Sequence, residues 1–184
     1  MRLFAGMPMP EAARREIEAL LEELRAADWP VRWVRAEGLH LTLKFYGEVA
    51  AERLEVIDES IRMAARGARA MALRLDALGA FPSAARPRVL WVGIDGPAAL
   101  AALWERLEQG GEALGFAPEG TPFRPHVTLG RVREGQRLPP RALDGYQQRY
   151  ERTAFVADRL VLYESVLTKQ GPRYDERLAL ELES

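Results

Sequence analysis

Cysteine is absent from the 184-residue chain, which removes disulfides, thiolate nucleophiles and cysteine-based zinc sites from consideration. That absence suits a reducing compartment, so the expected location is the cytoplasm. Histidine is scarce as well, with only His40 and His126. Lysine is confined to Lys44 and Lys169, so nearly all of the 26 basic residues are arginine, and 27 acidic residues bring the formal net charge to -1. No global field holds long nucleic acid by counterion release, and any RNA contact should be local. Long hydrophobic runs are missing too. The opening "MRLFAGMPMPEAARREIEAL" reaches charged residues too soon for a signal peptide or a membrane span, so a soluble protein without a membrane partner is expected.

Nearly half of the residues are hydrophobic, enough for one substantial core, and residues 1–184 read as a single domain. "RLFAGMP" is a strand, and the spacing of Ile17, Leu20, Leu21 and Leu24 predicts a helix from about Pro10 to Asp28. "VRWVR" and "LHLTLKFYGEV" alternate like two strands of a hairpin turning at Glu37-Gly38. A second helix follows from about Glu52 to Arg66, then a strand in "MALRLDAL". After the interruption "GAFPSAARPR" the order restarts: "VLWVGID" as strand, a helix from Pro97 to about Leu114, and "FRPHVTLGRV" as strand. "RLVLYESVL" and "RYDERLALELE" give a closing hairpin over residues 158–182, and "REGQRLPPRALDGYQQRY" reads as a polar loop with at most a helical turn. Two half-repeats, approximately 1–80 and 87–184, share strand, helix and strand. The expected class is α+β and bilobal: two pseudo-two-fold-related lobes of mostly antiparallel sheet with outer helices and a groove between them.

Both histidines open the same tetrapeptide, His40-Leu41-Thr42-Leu43 and His126-Val127-Thr128-Leu129. Chance would place both in that pattern on the order of once in ten thousand sequences. In a strand, His40 and Thr42 share one face about 7 Å apart, while Leu41, Leu43 and Phe45 point the other way. His126 and Thr128 stand the same way against Val127 and Leu129. Across a pseudo-two-fold groove these faces would form a cage suited to a phosphodiester. One imidazole takes a proton from water and the other gives one to the departing alkoxide. The threonine hydroxyls donate to the non-bridging oxygens as phosphorus becomes five-coordinate. Two nitrogens with no adjacent carboxylate make an incomplete metal site, so neither metal nor cofactor is expected.

With its paired His-x-Thr-apolar motifs the chain resembles the two-histidine (2H) phosphoesterases. More closely it resembles the LigT-like RNA 2′,3′-cyclic phosphodiesterases, also called bacterial 2′-5′ RNA ligases. The likeness covers nearly the whole chain, from "RLFAGMP" through "FRPHVTLGR" to "LYES" and "GPRY". It implies a bilobal α+β fold and hydrolysis of a terminal RNA 2′,3′-cyclic phosphate to a 2′-phosphomonoester. It also implies His40 as proton donor and His126 as proton acceptor, with Thr42 and Thr128 on the phosphate. The expected partner is an RNA end bearing that phosphate, or a small nucleotide cyclic phosphate, met by a monomer. Other readings keep the cage but change the substrate to another cyclic phosphate or a 2′-5′ linkage, reversible ligation included. A different class is a non-catalytic RNA- or nucleotide-binding module.

Substrate-binding candidates surround the motifs. Lys44 continues the alternation of His40 and Thr42, Arg124 precedes His126 by two, and Arg131 follows a glycine that blurs the alternation. Phe45, Tyr46, Phe123 and Tyr174 are candidates for stacking on a terminal base. "GPRYDERL" is either a lip over the groove or a turn into the last strand.

Overall fold

The computed structural model describes residues 1–146, 154–169 and 171–184. The end of the expected polar loop, residues 147–150, lies outside the described residues. Among the described residues are three helices, α1 (Glu11–Ala26), α2 (Leu54–Ala65) and α3 (Ala98–Ala113). Nine strands accompany them: β1 (Arg2–Pro8), β2 (Val31–Trp33), β3 (His40–Glu48), β4 (Met71–Phe81), β5 (Val89–Asp95), β6 (His126–Val132), β7 (Ala154–Ala157), β8 (Arg159–Thr168) and β9 (Gly171–Glu181). Eight strands run in the order β7-β4-β5-β6-β3-β1-β8-β9, and β2 pairs with β6. Every pairing between these strands is antiparallel, which makes the fold α+β as expected.

The helices form where apolar residues recur at helical spacing. Ile17, Leu20, Leu21 and Leu24 of α1 are all buried, as are Ile57 and Ile61 of α2 and Leu100, Leu103 and Leu107 of α3. They pack with Leu3, Ala5, Met7, Leu41 and Leu43 from one face of the sheet in a single core. Each such leucine or isoleucine contributes about 1.5–3 kcal/mol on burial. The opposite face carries a smaller, separate cluster of Phe4, Val161 and Tyr163, with Tyr174 packed against it.

A five-stranded half that includes β2 and a four-stranded half meet between β6 and β3, through the single pair Leu41↔Val127. They do not follow the division of the chain near residue 80. β4 joins the half that holds β6, and β8 and β9 join the half that holds β3. The closing hairpin forms as β8–β9, whereas the expected hairpin over residues 31–46 does not. A 3₁₀ turn at Ala36–Gly38 redirects the chain, and the three-residue β2 pairs with β6 instead, Arg32 opposite Arg131. β7 had no sequence signal, being only four residues long.

The two halves share an irregularity that sets the site. Ala5 pairs with Lys44 and Gly6 with Thr42, so Leu43 has no partner on β1. Likewise Leu90 pairs with Gly130 and Trp91 with Thr128, so Leu129 has none on β5. Each is a bulge at the fourth residue of a His-x-Thr-Leu motif, and an extra residue reverses which face the following side chains take. Leu43 and Lys44 are buried in succession, and Phe45 turns outward, 48% exposed. On β6, Leu129 and Gly130 are buried in succession and Arg131 turns outward.

Candidate active site

His40, Thr42, His126 and Thr128 line one cavity of about 1630 Å³, which Trp104 of α3 also borders. They meet because β3 and β6 are neighbours. Continuing the Leu41↔Val127 register sets His40 beside Thr128 and Thr42 beside His126, a crossed square of two imidazoles and two hydroxyls.

Both imidazoles are oriented by the same local device. Nδ1 of His40 lies 2.7 Å from the Gly38 carbonyl, and Nδ1 of His126 lies 2.7 Å from the Arg124 carbonyl. A carbonyl only accepts, so each Nδ1 donates its hydrogen and each Nε2 keeps a lone pair for proton exchange.

Their surroundings differ. Phe4 stacks on His40 at 4.6 Å, Tyr174 meets the ring edge-on at 5.0 Å, and Tyr163 lies 5.9 Å away. Desolvation among these rings pushes the His40 imidazolium down to about 4, partly countered by the Gly38 bond, with His126 lowering it further. His126 sits between Phe81 at 5.0 Å and Trp91 at 5.7 Å. Its basicity is lowered first by desolvation and also by the charges of Arg124 and Arg131, while the bond to Arg124 acts the other way. Burial likewise pushes the Tyr163 phenol up to about 12 and that of Tyr174 upward.

Lys44 is not in the groove, contrary to expectation. The bulge at Leu43 turns it into the core, where it is 3% exposed. Its ammonium pairs with Glu108 of α3 at 2.9 Å and donates to the Ala117 carbonyl at 2.8 Å. α3 has room for it because residue 111 is glycine: a Cβ there would lie 2.8 Å from the lysine Cε. Tyr46 is also core, 6% exposed and edge-on to Phe116. Phe45 lines the cavity although simple alternation pointed it inward. Arg124, Arg131, Phe123 and Tyr174 line it as well, and so do Gly171, Pro172 and Arg173 at the start of β9.

Sequence reasoning missed several neighbours. Phe4, Tyr163, Phe81 and Trp91 enclose the imidazoles, yet as strand aromatics they carry no mark separating them from core residues. Phe123 stacks on Trp104 of α3 at 4.8 Å with the ring planes 9° apart, and both line the cavity. Gly79 is what admits Trp91, since a Cβ there would lie 2.2 Å from the indole.

A family model described as the 2′-5′ RNA ligase superfamily matches residues 9–168, both motifs included. The chain belongs to that superfamily. Within it, the RNA 2′,3′-cyclic phosphodiesterase of Methanothermobacter thermautotrophicus is 31% identical over 177 residues, 96% of each chain. The RNA 2′,3′-cyclic phosphodiesterase of Aeropyrum pernix is 37% identical over 147 residues, 79% of this chain and 82% of its own. Among solved structures, the protein TT0787 of Thermus thermophilus superposes with a TM-score of 0.83 at 28% identity, covering 99% of this chain and 98% of its own. LigT of E. coli complexed with 3′-AMP gives 0.77 at 28% identity, covering 100% and 98%.

Proposed function

We propose that this member of the superfamily hydrolyses RNA 2′,3′-cyclic phosphate ends to 2′-phosphomonoesters by acid-base catalysis between His40 and His126. The observation that carries the reading is the crossed square: two imidazoles with Nδ1 tied to a carbonyl, and two threonines, from neighbouring strands into one cavity. Membership in a superfamily whose relatives are RNA 2′,3′-cyclic phosphodiesterases supports the substrate.

His126 Nε2 takes a proton from water as its oxygen bonds to phosphorus, and the P–O3′ bond breaks. The 3′ oxygen takes the proton held on His40 Nε2, leaving a 2′-phosphomonoester and a free 3′-hydroxyl. Thr42 and Thr128 donate to the non-bridging oxygens as their charge grows. With its basicity lowered, His40 takes up its proton from solvent as the substrate binds, because the phosphate anion stabilises the imidazolium beside it. Solvent then returns a proton from His126 to His40. The proposed chemistry uses only the chain's own groups. The same reading makes a single chain in the cytoplasm the working unit.

The test incubates wild type, His40→Ala and His126→Ala, in chelator, with a short RNA ending in a 2′,3′-cyclic phosphate and identifies the product phosphate. Formation of a 2′-phosphate, with kcat reduced about a hundredfold or more in each variant, is expected. Full activity in either variant overturns the mechanism. Binding without turnover by wild type makes the protein a binding module, and turnover only with a second RNA bearing a 5′-hydroxyl makes it a ligase.

A further inference from the structure

The cavity is larger and more cationic than one terminal nucleotide requires. Its volume of about 1630 Å³ exceeds the roughly 300–1,000 Å³ that suffices for a drug-sized ligand. It is lined by Arg32, Arg35, Arg124, Arg131, Lys169 and Arg173 against only Glu37 and Glu119, in a chain whose net charge is -1. Positive charge is therefore concentrated on this face rather than being a property of the whole surface.

Within that lining one pair stands out. Arg32 of β2 and Arg131 of β6 are direct partners in the antiparallel register, both exposed and both bordering the cavity. Like charges opposite one another on paired strands repel and lower stability. Among the described residues neither guanidinium has a carboxylate within ion-pair distance, whereas six other arginines do, Arg14, Arg15, Arg141, Arg159, Arg173 and Arg177. An anion bound between them would relieve that repulsion. Arg131 lines the same cavity as His126 and is among the charges that lower the basicity of that imidazole, so it borders the place where a phosphate would react. Arg32 lies one strand further out, about 5 Å along the sheet.

We propose that Arg32 binds the phosphodiester on the 5′ side of the terminal nucleotide, so that the groove selects an RNA chain over a mononucleotide cyclic phosphate. The proposal rests on the cyclic phosphodiesterase reading and adds to it a specificity determinant. Its guanidinium makes bidentate contact with the non-bridging oxygens of that second phosphate, while Arg131 serves the first. The cross-strand repulsion is relieved when both anions are in place.

The experiment measures kcat/KM of wild type, Arg32→Ala and Arg32→Lys on two substrates, an RNA trinucleotide ending in a 2′,3′-cyclic phosphate and a 2′,3′-cyclic mononucleotide, over a series of salt concentrations. For wild type, the trinucleotide is favoured at low salt. In Arg32→Ala the trinucleotide-to-mononucleotide ratio falls about tenfold, and the salt dependence on the trinucleotide loses about 0.7 in log–log slope, one single-strand phosphate contact. Arg32→Lys recovers part of the ratio, and the melting temperature of Arg32→Ala does not fall, since a repulsion has been removed. An unchanged ratio, equal losses on both substrates, or a lowered melting temperature with an unchanged ratio overturns the assignment. If wild type turns over neither substrate, the cyclic phosphodiesterase reading has failed. Turnover of both without preference defeats only the role of Arg32.

Discussion

Replacing Lys44 by methionine separates two readings of the same residue. Alternation from His40 would make Lys44 a phosphate ligand, whose loss would lower kcat/KM by about a hundredfold or more and leave the fold alone. The structure makes it half of a buried ion pair: its side chain is 2% exposed, that of Glu108 is 12%, and they are 2.9 Å apart. The lysine also holds the Ala117 carbonyl, and Glu108 accepts from the Glu119 backbone N–H at 2.8 Å. Removing the cation strands a buried carboxylate, which costs about 3–5 kcal/mol. In a chain of this length that is about 6–20 °C in Tm, at about 2–4 °C per kcal/mol. The assay is thermal unfolding together with kcat/KM per folded molecule at 25 °C. Lys44→Met is expected to melt early and to retain activity within about tenfold. The residual loss reflects loosening of residues 117–119, which precede the Thr121–Arg124 stretch lining the groove. The double variant Lys44→Met/Glu108→Leu should recover most of the loss, because no charge is then left unpaired. An unchanged Tm with lost catalysis in Lys44→Met would refute the reasoning.

Three further outcomes follow from the imidazole environments. Because both histidines are held below their ordinary basicity, His40 at about 4, the kcat/KM profile should peak below about pH 6.5; a maximum above about pH 7 contradicts that desolvation. The stability linkage has the same origin: the unfolded chain binds a proton near pH 6.5 that folded His40 refuses until about pH 4, so stability is complete above 6.5 and declines as pH falls, by at most about 1.4 kcal/mol per unit. His40→Gln should flatten that part of the curve in urea unfolding. Gly79→Ala should push Trp91 off its seat beside His126, costing about 1–3 kcal/mol by overpacking and raising the His126 titration midpoint by NMR; an unmoved midpoint would detach Trp91 from the site.

Much of the architecture was legible in the sequence because it obeys two periods. The 2–8 and 89–95 strands and the three helices emerge from apolar spacing within a few residues, and the paired tetrapeptides locate the cage. Legibility ended where tertiary pairing overrides local pattern. A bulge is a property of two strands together, so nothing in "HLTLKFYG" alone says that Leu43 is the extra residue. The partner of β2 was illegible for the same reason, and with it the Arg32–Arg131 pair. Lys44 was misplaced because its compensation, Glu108 and the space left by Gly111, lies in a helix distant in sequence.

The matched bulges also bear on how a nearly symmetric cage acts in one direction. Each imposes the same reversal, so the fifth residue after each histidine, Phe45 or Arg131, turns out toward the cavity. The backbone is thus repeated while the chemistry is not. One half offers an aromatic ring beside Phe4 and Tyr174, and the other a guanidinium beside Arg124 and Arg32. A nucleotide end has the same polarity, a base on one side of its cyclic phosphate and a charged chain on the other. Stacking on the Phe45 side and ion pairing on the Arg131 side favour one docking orientation over its two-fold mate. On the proposed mechanism that orientation would fix which imidazole faces the leaving oxygen, so the division of labour between His40 and His126 would be decided two residues beyond each bulge. Exchanging the two side chains, Phe45→Arg with Arg131→Phe, should therefore depress turnover far more than either change alters folding, since both positions are exposed. A double variant with wild-type kcat/KM would show that the histidines carry their own direction.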